Sequence, residues 1–360
     1  MSADTGKHID TSWLVDDAED HDRGTTDADR LLTALGERGL FRIGVPQSQG
    51  GSGGGTYDGV EAIAAIAERS LTAAFVFWGQ RTFIEYLLQS ANTTLRERWL
   101  PALLAGEFAG ATGLSNAMKF LSGIESLQIT ATPCDGRWWL DGYLPWVTNL
   151  RKAGFVFAAA VANAGDASPM VVAISDDQAG VIRGDDLDLI ALRGSNTAAI
   201  DVQAVDIGPE HILHEDARIF CPELRPAFLS LQLGMSIGLA RVALRSASTQ
   251  GQGARRILLP RIDGISRELE NLAGALRSGL ADRRFATDPA ALFRIRIRLA
   301  EIVQIALGLE LEASGGSAYL RDKSLGFARR WVEGAFIPVI TPSLTQLQGE
   351  LARHVGACTA

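Results

Sequence analysis

The sequence is poor in the side chains that build metal and disulfide sites. It has 360 residues, of which three are cysteine and five are histidine. Cys134, Cys221 and Cys358 lie far apart, which excludes a cysteine zinc cluster or a disulfide framework and is typical of a reducing cytoplasm. No HxxxH or HxH pattern occurs, so a histidine metal site is disfavoured and we expect no metal.

Positive charge and long apolar runs are also scarce. The chain has 34 basic and 42 acidic residues, a net charge of −8. This balance disfavours nucleic-acid and anionic-membrane partners, which need a basic field. The longest uncharged apolar-rich run, residues 226–240, is 15 residues long. A membrane span needs about 20 residues, so we expect this run to form a buried core helix. The N-terminal residues contain no apolar signal core, and we therefore expect a cytoplasmic protein.

A glycine-rich segment at residues 50–55 (GGSGGG) resembles a phosphate-binding loop only superficially. Dinucleotide-binding loops need glycines at i, i+2 and i+5, and no frame here has all three. No Gly-Lys-Ser/Thr follows, so a P-loop is excluded as well. The segment is interpreted as a flexible loop before a helix that starts near Tyr57.

Periodicity divides the chain into three parts. Apolar residues at helical spacing occupy residues 29–107, and alternating or β-branched runs separated by turns occupy residues 112–217. Helical periodicity then returns to the end of the chain. We predict an α+β fold with an acidic, solvated arm at residues 1–28, an N-terminal helical domain at 29–110, a central antiparallel β domain at 111–220 and a C-terminal four-helix bundle at 221–360.

The C-terminal part has the clearest helix signals. Asp288 and Pro289 form an N-cap and a first-turn proline before a long helix. Apolar residues then recur at alternating spacings of three and four, which is typical of a bundle helix. This stripe comprises Leu292, Ile295, Leu299, Ile302, Ala306 and Leu309.

Several segments together resemble the acyl-CoA dehydrogenase superfamily of flavoproteins. Their order and spacing over more than 300 residues carry the resemblance, since no single motif is decisive. The segments are residues 40–53 (LFRIGVPQSQGGSG), 98–107 (RWLPALLAGE), 140–149 (LDGYLPWVTN), 192–197 (LRGSNT), 205–213 (VDIGPEHIL) and 314–319 (SGGSAY). The resemblance implies an FAD-dependent oxidoreductase.

The resemblance also implies which residues bind FAD. The family tryptophan against the isoalloxazine corresponds to Trp146, and the hydroxyl near flavin N5 corresponds to Thr148. Thr112 matches the first residue of the other flavin-contacting strand, although the residues after it depart from the family pattern. The remaining candidates are Gly315 and Gly316, which the family aims at a neighbouring subunit's FAD, and Ser343 and Thr345, near the diphosphate.

The catalytic base departs from the family pattern. The family carboxylate corresponds to Thr341, whose hydroxyl is not a base near neutral pH. A threonine before Pro342 is typical of a helix N-cap, and we predict that role for Thr341. Glu223, at the start of the bundle, is the alternative base.

Three functions stay open at this point. One is an acyl-CoA dehydrogenase-like enzyme that removes an α-proton from an acyl thioester and transfers a hydride to FAD. The second is a non-catalytic subunit of a heteromeric acyl-CoA dehydrogenase, and the third is a flavin-dependent monooxygenase on the same fold. The resemblance implies an acyl-CoA substrate, an electron-transfer acceptor, and either a homo-oligomer (dimer or tetramer) or a heteromer with a paralogue.

Overall fold

The computed structural model describes residues 9–163, 167–320 and 326–358. It has a helical N-terminal part, a central sheet and a C-terminal set of helices, which confirms the predicted fold class. The N-terminal helices are α1 (Ala18–Arg23), α2 (Ala28–Glu37), α3 (Thr56–Ala67), α4 (Leu71–Gln89) and α5 (Thr93–Ala105).

The central part contains eight strands and one short helix. They are β1 (Ala109–Thr112), α6 (Ser115–Leu121), β2 (Ile129–Cys134), β3 (Arg137–Val147), β4 (Phe155–Asn163), β5 (Met170–Ser175), β6 (Val181–Asp186), β7 (Ala198–Ile207) and β8 (Ile212–His214). The strand order is β6-β7-β3-β2-β4-β5-β8, and β1 pairs with β4. The sheet is mixed rather than wholly antiparallel, because β1 and β2 each run parallel to β4.

The C-terminal helices are α7 (Ala217–Gln250), α8 (Leu259–Ala281), α9 (Arg284–Thr287), α10 (Pro289–Ser314), α11 (Phe327–Gly334) and α12 (Leu344–Cys358). The predicted start of α10 is confirmed: the Asp288 carboxylate accepts a hydrogen bond from Ala291 N–H at 3.1 Å. The apolar stripe of α10 is buried over its whole length. Burying such a stripe against neighbouring helices supplies most of the stability of a bundle helix.

Helix α7 is the most deeply buried helix of this part. Its uncharged stretch, residues 226–240, packs against α3 through Gly234 and Gly238. A Cβ atom on Gly238 would lie 2.1 Å from the carbonyl oxygen of Ala64, so only glycine permits this close approach. Among the described residues, α7 is the one helix long and apolar enough to cross a membrane, and 89% of its most apolar window is buried inside the protein.

The segment expected to form a solvated arm is packed where the structure describes it. Residues 1–8 lie outside the described residues. Beyond them, Leu14, Ala18 and His21 are buried, and α1 contacts α4 and the turn at Arg193–Ser195. The expectation was wrong for this part, because the exposed Asp16, Asp17 and Asp20 lie on the opposite side from the buried residues. The other predicted boundaries stay predictions; α5 ends at Ala105, and the helical part resumes at Ala217.

Candidate functional site

A crevice of about 740 Å³ separates the sheet from the C-terminal helices. Its volume falls within the range of about 300–1,000 Å³ that small-molecule sites occupy. Its lining comes from α4, the region from the end of β1 to the start of β2, the end of β3, the loop at residues 188–192, Thr197 and residues 332–343. The crevice brings together Thr112, Trp146, Thr148, Thr341 and Ser343, all of which the sequence analysis singled out.

Trp146 presents an exposed aromatic surface to the crevice. It is 59% exposed, although Leu144 and Val147 beside it on β3 are buried. The register between β3 and β7 shifts between Leu144 and Val147, which is a β-bulge. A bulge bends a strand and redirects its side chains, so this irregularity explains how a strand tryptophan comes to face an open crevice.

Thr148 follows Trp146 and contributes a buried hydroxyl. Its Oγ1 lies 3.2 Å from Thr197 Oγ1, which in turn lies 2.8 Å from Ser195 Oγ. Thr112 stands beside it, since Thr112 and Thr148 form an isolated antiparallel bridge. Thr112 Oγ1 lies 2.5 Å from the Tyr86 hydroxyl. The wall beside Trp146 therefore consists of hydroxyl groups that can donate or accept hydrogen bonds.

An amide network fixes the end of β3. The Asn149 amide donates to Gln80 Oε1 and to the Gly110 carbonyl, both at 2.9 Å. Gln80 Oε1 also accepts from Gly110 N–H at 2.6 Å, and the Gln80 amide donates to the carbonyls of Leu103 and Phe108. Asn149 has a φ of 63°, a left-handed conformation that asparagine adopts more readily than most residues. The network ties β3 to β1 and α4.

Aromatic side chains form an apolar wall of the crevice. Phe75 and Trp78, one turn apart on α4, stack with centroids 5.6 Å apart. Phe336 meets Phe75 edge-on at 5.0 Å, and Trp78 meets Phe228 edge-on at 5.4 Å. Sequence reasoning missed Phe75, Trp78 and Phe336 as site residues. Aromatic residues at helical spacing also fit an ordinary core, so their pattern gave no separate signal.

The C-terminal wall corrects one prediction. Thr341 is not a helix N-cap, because α12 begins at Leu344 and Ser343 occupies the cap position. Ser343 Oγ accepts a hydrogen bond from Gln346 N–H at 3.2 Å. Thr341 instead lies in the preceding loop and lines the crevice, and its carbonyl accepts from the Gln232 amide at 3.0 Å.

Four other candidate residues lie outside the crevice. Glu223 is exposed on α7 and does not line the crevice with Trp146 and Thr148. Thr345 is exposed on the first turn of α12. Gly315 and Gly316 follow α10, where a Cβ on Gly315 would lie 2.6 Å from the Arg255 guanidinium.

Two carboxylates line the crevice among the described residues, Glu125 and Asp188. Glu125 lies 3.4 Å from the Lys119 ammonium and accepts from the Asn116 amide at 2.9 Å. Asp188 pairs with Arg193 at 2.6 Å, but its side chain is 85% exposed, against 29% for Glu125. Glu125 is therefore the more sheltered of the two.

Helix α1 supports two walls of the crevice. Asp22 on α1 accepts from Leu192 N–H at 2.8 Å, and Leu192 belongs to the 188–192 loop. Glu19 pairs with Arg329 of α11 at 3.3 Å, and Arg329 pairs with the buried Glu333 at 2.7 Å. Burial raises the pKa of Asp22 and of Glu333. The acidic residues of this segment thus connect the 188–192 loop to α11.

Comparisons with known proteins agree with this geometry. Residues 11–107 match the model of the acyl-CoA dehydrogenase N-terminal domain. The mitochondrial isovaleryl-CoA dehydrogenase of Arabidopsis thaliana is 26% identical over 191 residues, which cover 52% of this chain and 46% of that protein. The chain thus spans about half the length of that relative.

Solved structures share the whole fold. Butyryl-CoA dehydrogenase from Megasphaera elsdenii superposes with a TM-score of 0.78 at 18% identity, covering 95% of this chain and 94% of that one. An FAD complex of PigA superposes with a TM-score of 0.80 at 18% identity, covering 96% and 94%. The likeness extends over all three parts of the fold. Residues 11–107 thus match an acyl-CoA dehydrogenase N-terminal domain, and the chain shares the fold of the acyl-CoA dehydrogenases.

Replacing Asn149 by Asp tests the amide network. The change keeps the size of the side chain but points carboxylate oxygen at Gln80 Oε1 and the Gly110 carbonyl. We expect the free energy of unfolding to fall by roughly 1–3 kcal/mol, the cost of buried polar groups left without partners. Urea denaturation measures this. Gln203→Glu, the same type of change on an exposed strand position, should alter stability by less than about 0.5 kcal/mol; equal losses would contradict the account.

His21 on α1 should make stability depend on pH. Burial lowers its pKa, against the opposing effect of Asp17 and Asp20. The unfolded chain therefore binds a proton below about pH 6.5, where the folded chain does not yet bind it. Stability should be fully present above that pH and fall as the solution is acidified towards the lowered pKa of the folded state.

The variant His21→Gln isolates this contribution. Urea denaturation at pH 7.5 and 5.5 should show a smaller loss of stability for the variant than for the wild type. Asp16→Asn, on the exposed neighbouring turn, should behave as the wild type. A parallel loss in the wild type and His21→Gln would show that His21 is not the group responsible.

Proposed function

We propose that this protein is an acyl-CoA dehydrogenase-like flavoenzyme that binds FAD in the crevice and oxidises an acyl thioester. The observation that carries the proposal is the exposed indole of Trp146 in a crevice of about 740 Å³, next to the hydroxyl of Thr148. A large aromatic surface open to a concave site is costly unless a ligand covers it. The match to the acyl-CoA dehydrogenase N-terminal domain and the FAD complex of a structural neighbour support the same cofactor.

The residues present fit a flavin. The face of Trp146 would cover one side of a flat ring and exclude water from it. Thr148 and Thr112 would donate hydroxyl hydrogen bonds to its polar edge, and Ser343 would lie towards the diphosphate. When bound, FAD supplies the acceptor for a hydride.

The acyl group would lie against the apolar wall of Phe75, Trp78 and Phe336. Oxidation also requires loss of the α-proton, and Thr341 has no group that accepts it at neutral pH. Glu125 is the more sheltered of the two lining carboxylates, so we propose that its carboxylate accepts the α-proton. Asn116 and Lys119 would hold that carboxylate in place.

The remaining partners follow from the same proposal. The similarity to isovaleryl-CoA dehydrogenase and butyryl-CoA dehydrogenase supports an acyl thioester substrate. An electron-transfer acceptor would reoxidise the flavin. Gly315 and Gly316 lie outside the crevice. They would contact the FAD of a neighbouring subunit in a homo-oligomer or a heteromer.

Removing Trp146 or the Thr148 hydroxyl should weaken flavin binding. Trp146→Ala deletes the covering face, and Thr148→Val deletes one hydrogen bond at constant volume. We expect the Kd for FAD, measured by titrating flavin-free protein and following flavin fluorescence, to rise about tenfold or more, which corresponds to about 1.4 kcal/mol.

Trp139→Ala provides the matched control. Trp139 lies on the same strand and is 41% exposed, but it does not line the crevice. Its loss should leave the Kd unchanged. If Trp139→Ala and Trp146→Ala weaken FAD binding equally, or if the wild type binds no FAD, the proposed cofactor site is wrong.

Glu125→Gln should slow substrate oxidation without loss of cofactor. Anaerobic bleaching of the bound flavin by a series of acyl-CoA thioesters measures the reaction. We expect a rate reduction of about 10²–10⁴-fold, the usual contribution of a general base, with unchanged flavin content. Asp188→Asn removes the more exposed carboxylate and should retain most of the rate. If Glu125→Gln bleaches the flavin at the wild-type rate, Glu125 is excluded as the proton acceptor.

A further inference from the structure

Arg296 on α10 is a buried cation for which the described residues provide no carboxylate partner. Its side chain is 1% exposed. Its Nε donates to Gln232 Oε1 at 3.0 Å and its Nη2 donates to the Ile337 carbonyl at 2.5 Å. Within the residues that the structure describes, Nη1 has no hydrogen-bond partner and no carboxylate lies within ion-pair distance of the guanidinium.

The other deeply buried arginines behave differently. Arg81 pairs with Glu85 at 2.9 Å, and Arg329 pairs with Glu333 at 2.7 Å. A buried charge normally needs such a partner, because removing an ion from water costs several kcal/mol. Burial lowers the pKa of Arg296 to about 10, which leaves the guanidinium charged at neutral pH. Arg296 therefore keeps a positive charge in the core, and no described residue places a negative charge beside it.

This charge is connected to the crevice by hydrogen bonds. Because Gln232 Oε1 accepts from Arg296, the amide nitrogen of Gln232 is turned to donate to the Thr341 carbonyl at 3.0 Å. Arg296 itself holds the Ile337 carbonyl. The two side chains thus fix both ends of residues 337–341, and Val339, Ile340 and Thr341 line the crevice.

We propose that Arg296, acting with Gln232, is a positioning residue that shapes the 337–341 wall and makes that end of the crevice electropositive, so that it favours a ligand group bearing negative charge. The inference rests on the proposed function for the identity of the ligands. Unscreened charge acts over several ångströms in a protein interior. The anion that completes the charge balance comes from the ligand, since the described residues place no carboxylate at the guanidinium.

Two sources can supply that negative charge. One is the flavin, which gains negative charge on reduction. The other is the acyl ligand, through a carboxylate or through the charge that develops when its α-proton leaves. Both share the same chemistry, an anion next to residues 337–341, and the two arms of the experiment separate them.

The variants separate charge from shape. Arg296→Met removes the charge, whereas Arg296→Lys keeps the charge and loses the planar fork. Gln232→Glu places a carboxylate against Arg296 and neutralises its charge; it keeps an acceptor for Arg296 Nε but loses the donor to the Thr341 carbonyl. It serves if Arg296→Met fails to fold. Arg298→Met is the control, since Arg298 lies on the same helix but pairs with the surface residues Glu268 and Glu301.

The first arm measures the midpoint reduction potential of the bound FAD without substrate. If the flavin is the source, Arg296→Met and Gln232→Glu should weaken binding of reduced relative to oxidised flavin at least tenfold, a shift of about 30 mV to more negative potential. Arg296→Lys should shift the potential less than Arg296→Met does, and Arg298→Met should leave the potential unchanged.

The second arm uses hexanoate and hexanamide, an anion and a neutral molecule of the same length. Their Kd values come from flavin absorbance changes or, for flavin-free protein, from the shift of the unfolding midpoint. If the acyl ligand is the source, the wild type should bind hexanoate at least tenfold more tightly than hexanamide, and Arg296→Met and Gln232→Glu should abolish this preference. Arg298→Met should keep it.

Each result decides the inference. A change in either arm that is confined to the Arg296 and Gln232 variants supports it and identifies the source. Unchanged potential and unchanged ligand preference in both charge-removing variants overturn it. A wild type that binds no FAD refutes the proposed function, whereas the hexanoate arm on flavin-free protein still tests Arg296.

Discussion

The site depends on the hydrogen bonds that Asn149 makes with Gln80 and Gly110. They fix the end of β3 against β1 and α4, so that Thr148 stands beside Thr112 and Trp146 faces the crevice. Buried amide pairs of this kind stabilise one geometry because any other leaves polar groups without partners. The β-bulge before Val147 can expose Trp146 because the hydrogen bonds of Asn149 hold the strand in place beyond the bulge.

The wall at residues 337–341, opposite Trp146, differs from the first in its electrostatics. Most buried charges in the described part of the chain are paired locally, as in Arg330 with Glu310 and Arg329 with Glu333. Arg296 departs from this pattern and lies behind the loop that contains Thr341. One wall thus offers aromatic surface and hydroxyls, and the other offers positive potential. A flat redox cofactor and an acyl ligand that becomes more acidic on binding suit this combination.

Much of this could be predicted from the sequence, for physical reasons. The stripe of α10 and its Asp288 cap are local features, and the motif around Trp146 located one wall of the crevice. Phe75 and Phe336 were missed, because an apolar residue that lines a site resembles one in the core. The packing of α1 and of the residues just before it was missed, because the segment is acidic overall although Leu14 and His21 are buried. The cap at Ser343 instead of Thr341 depends on where the chain turns into α12, which a Thr-Pro pair alone does not fix.

A crystal structure of the protein grown with excess FAD tests the central claim most directly. The account predicts density for the isoalloxazine ring between Trp146 and residues 332–343, with the Thr148 hydroxyl at its edge. A crevice filled by the chain's own side chains, with FAD absent or bound elsewhere, would contradict it.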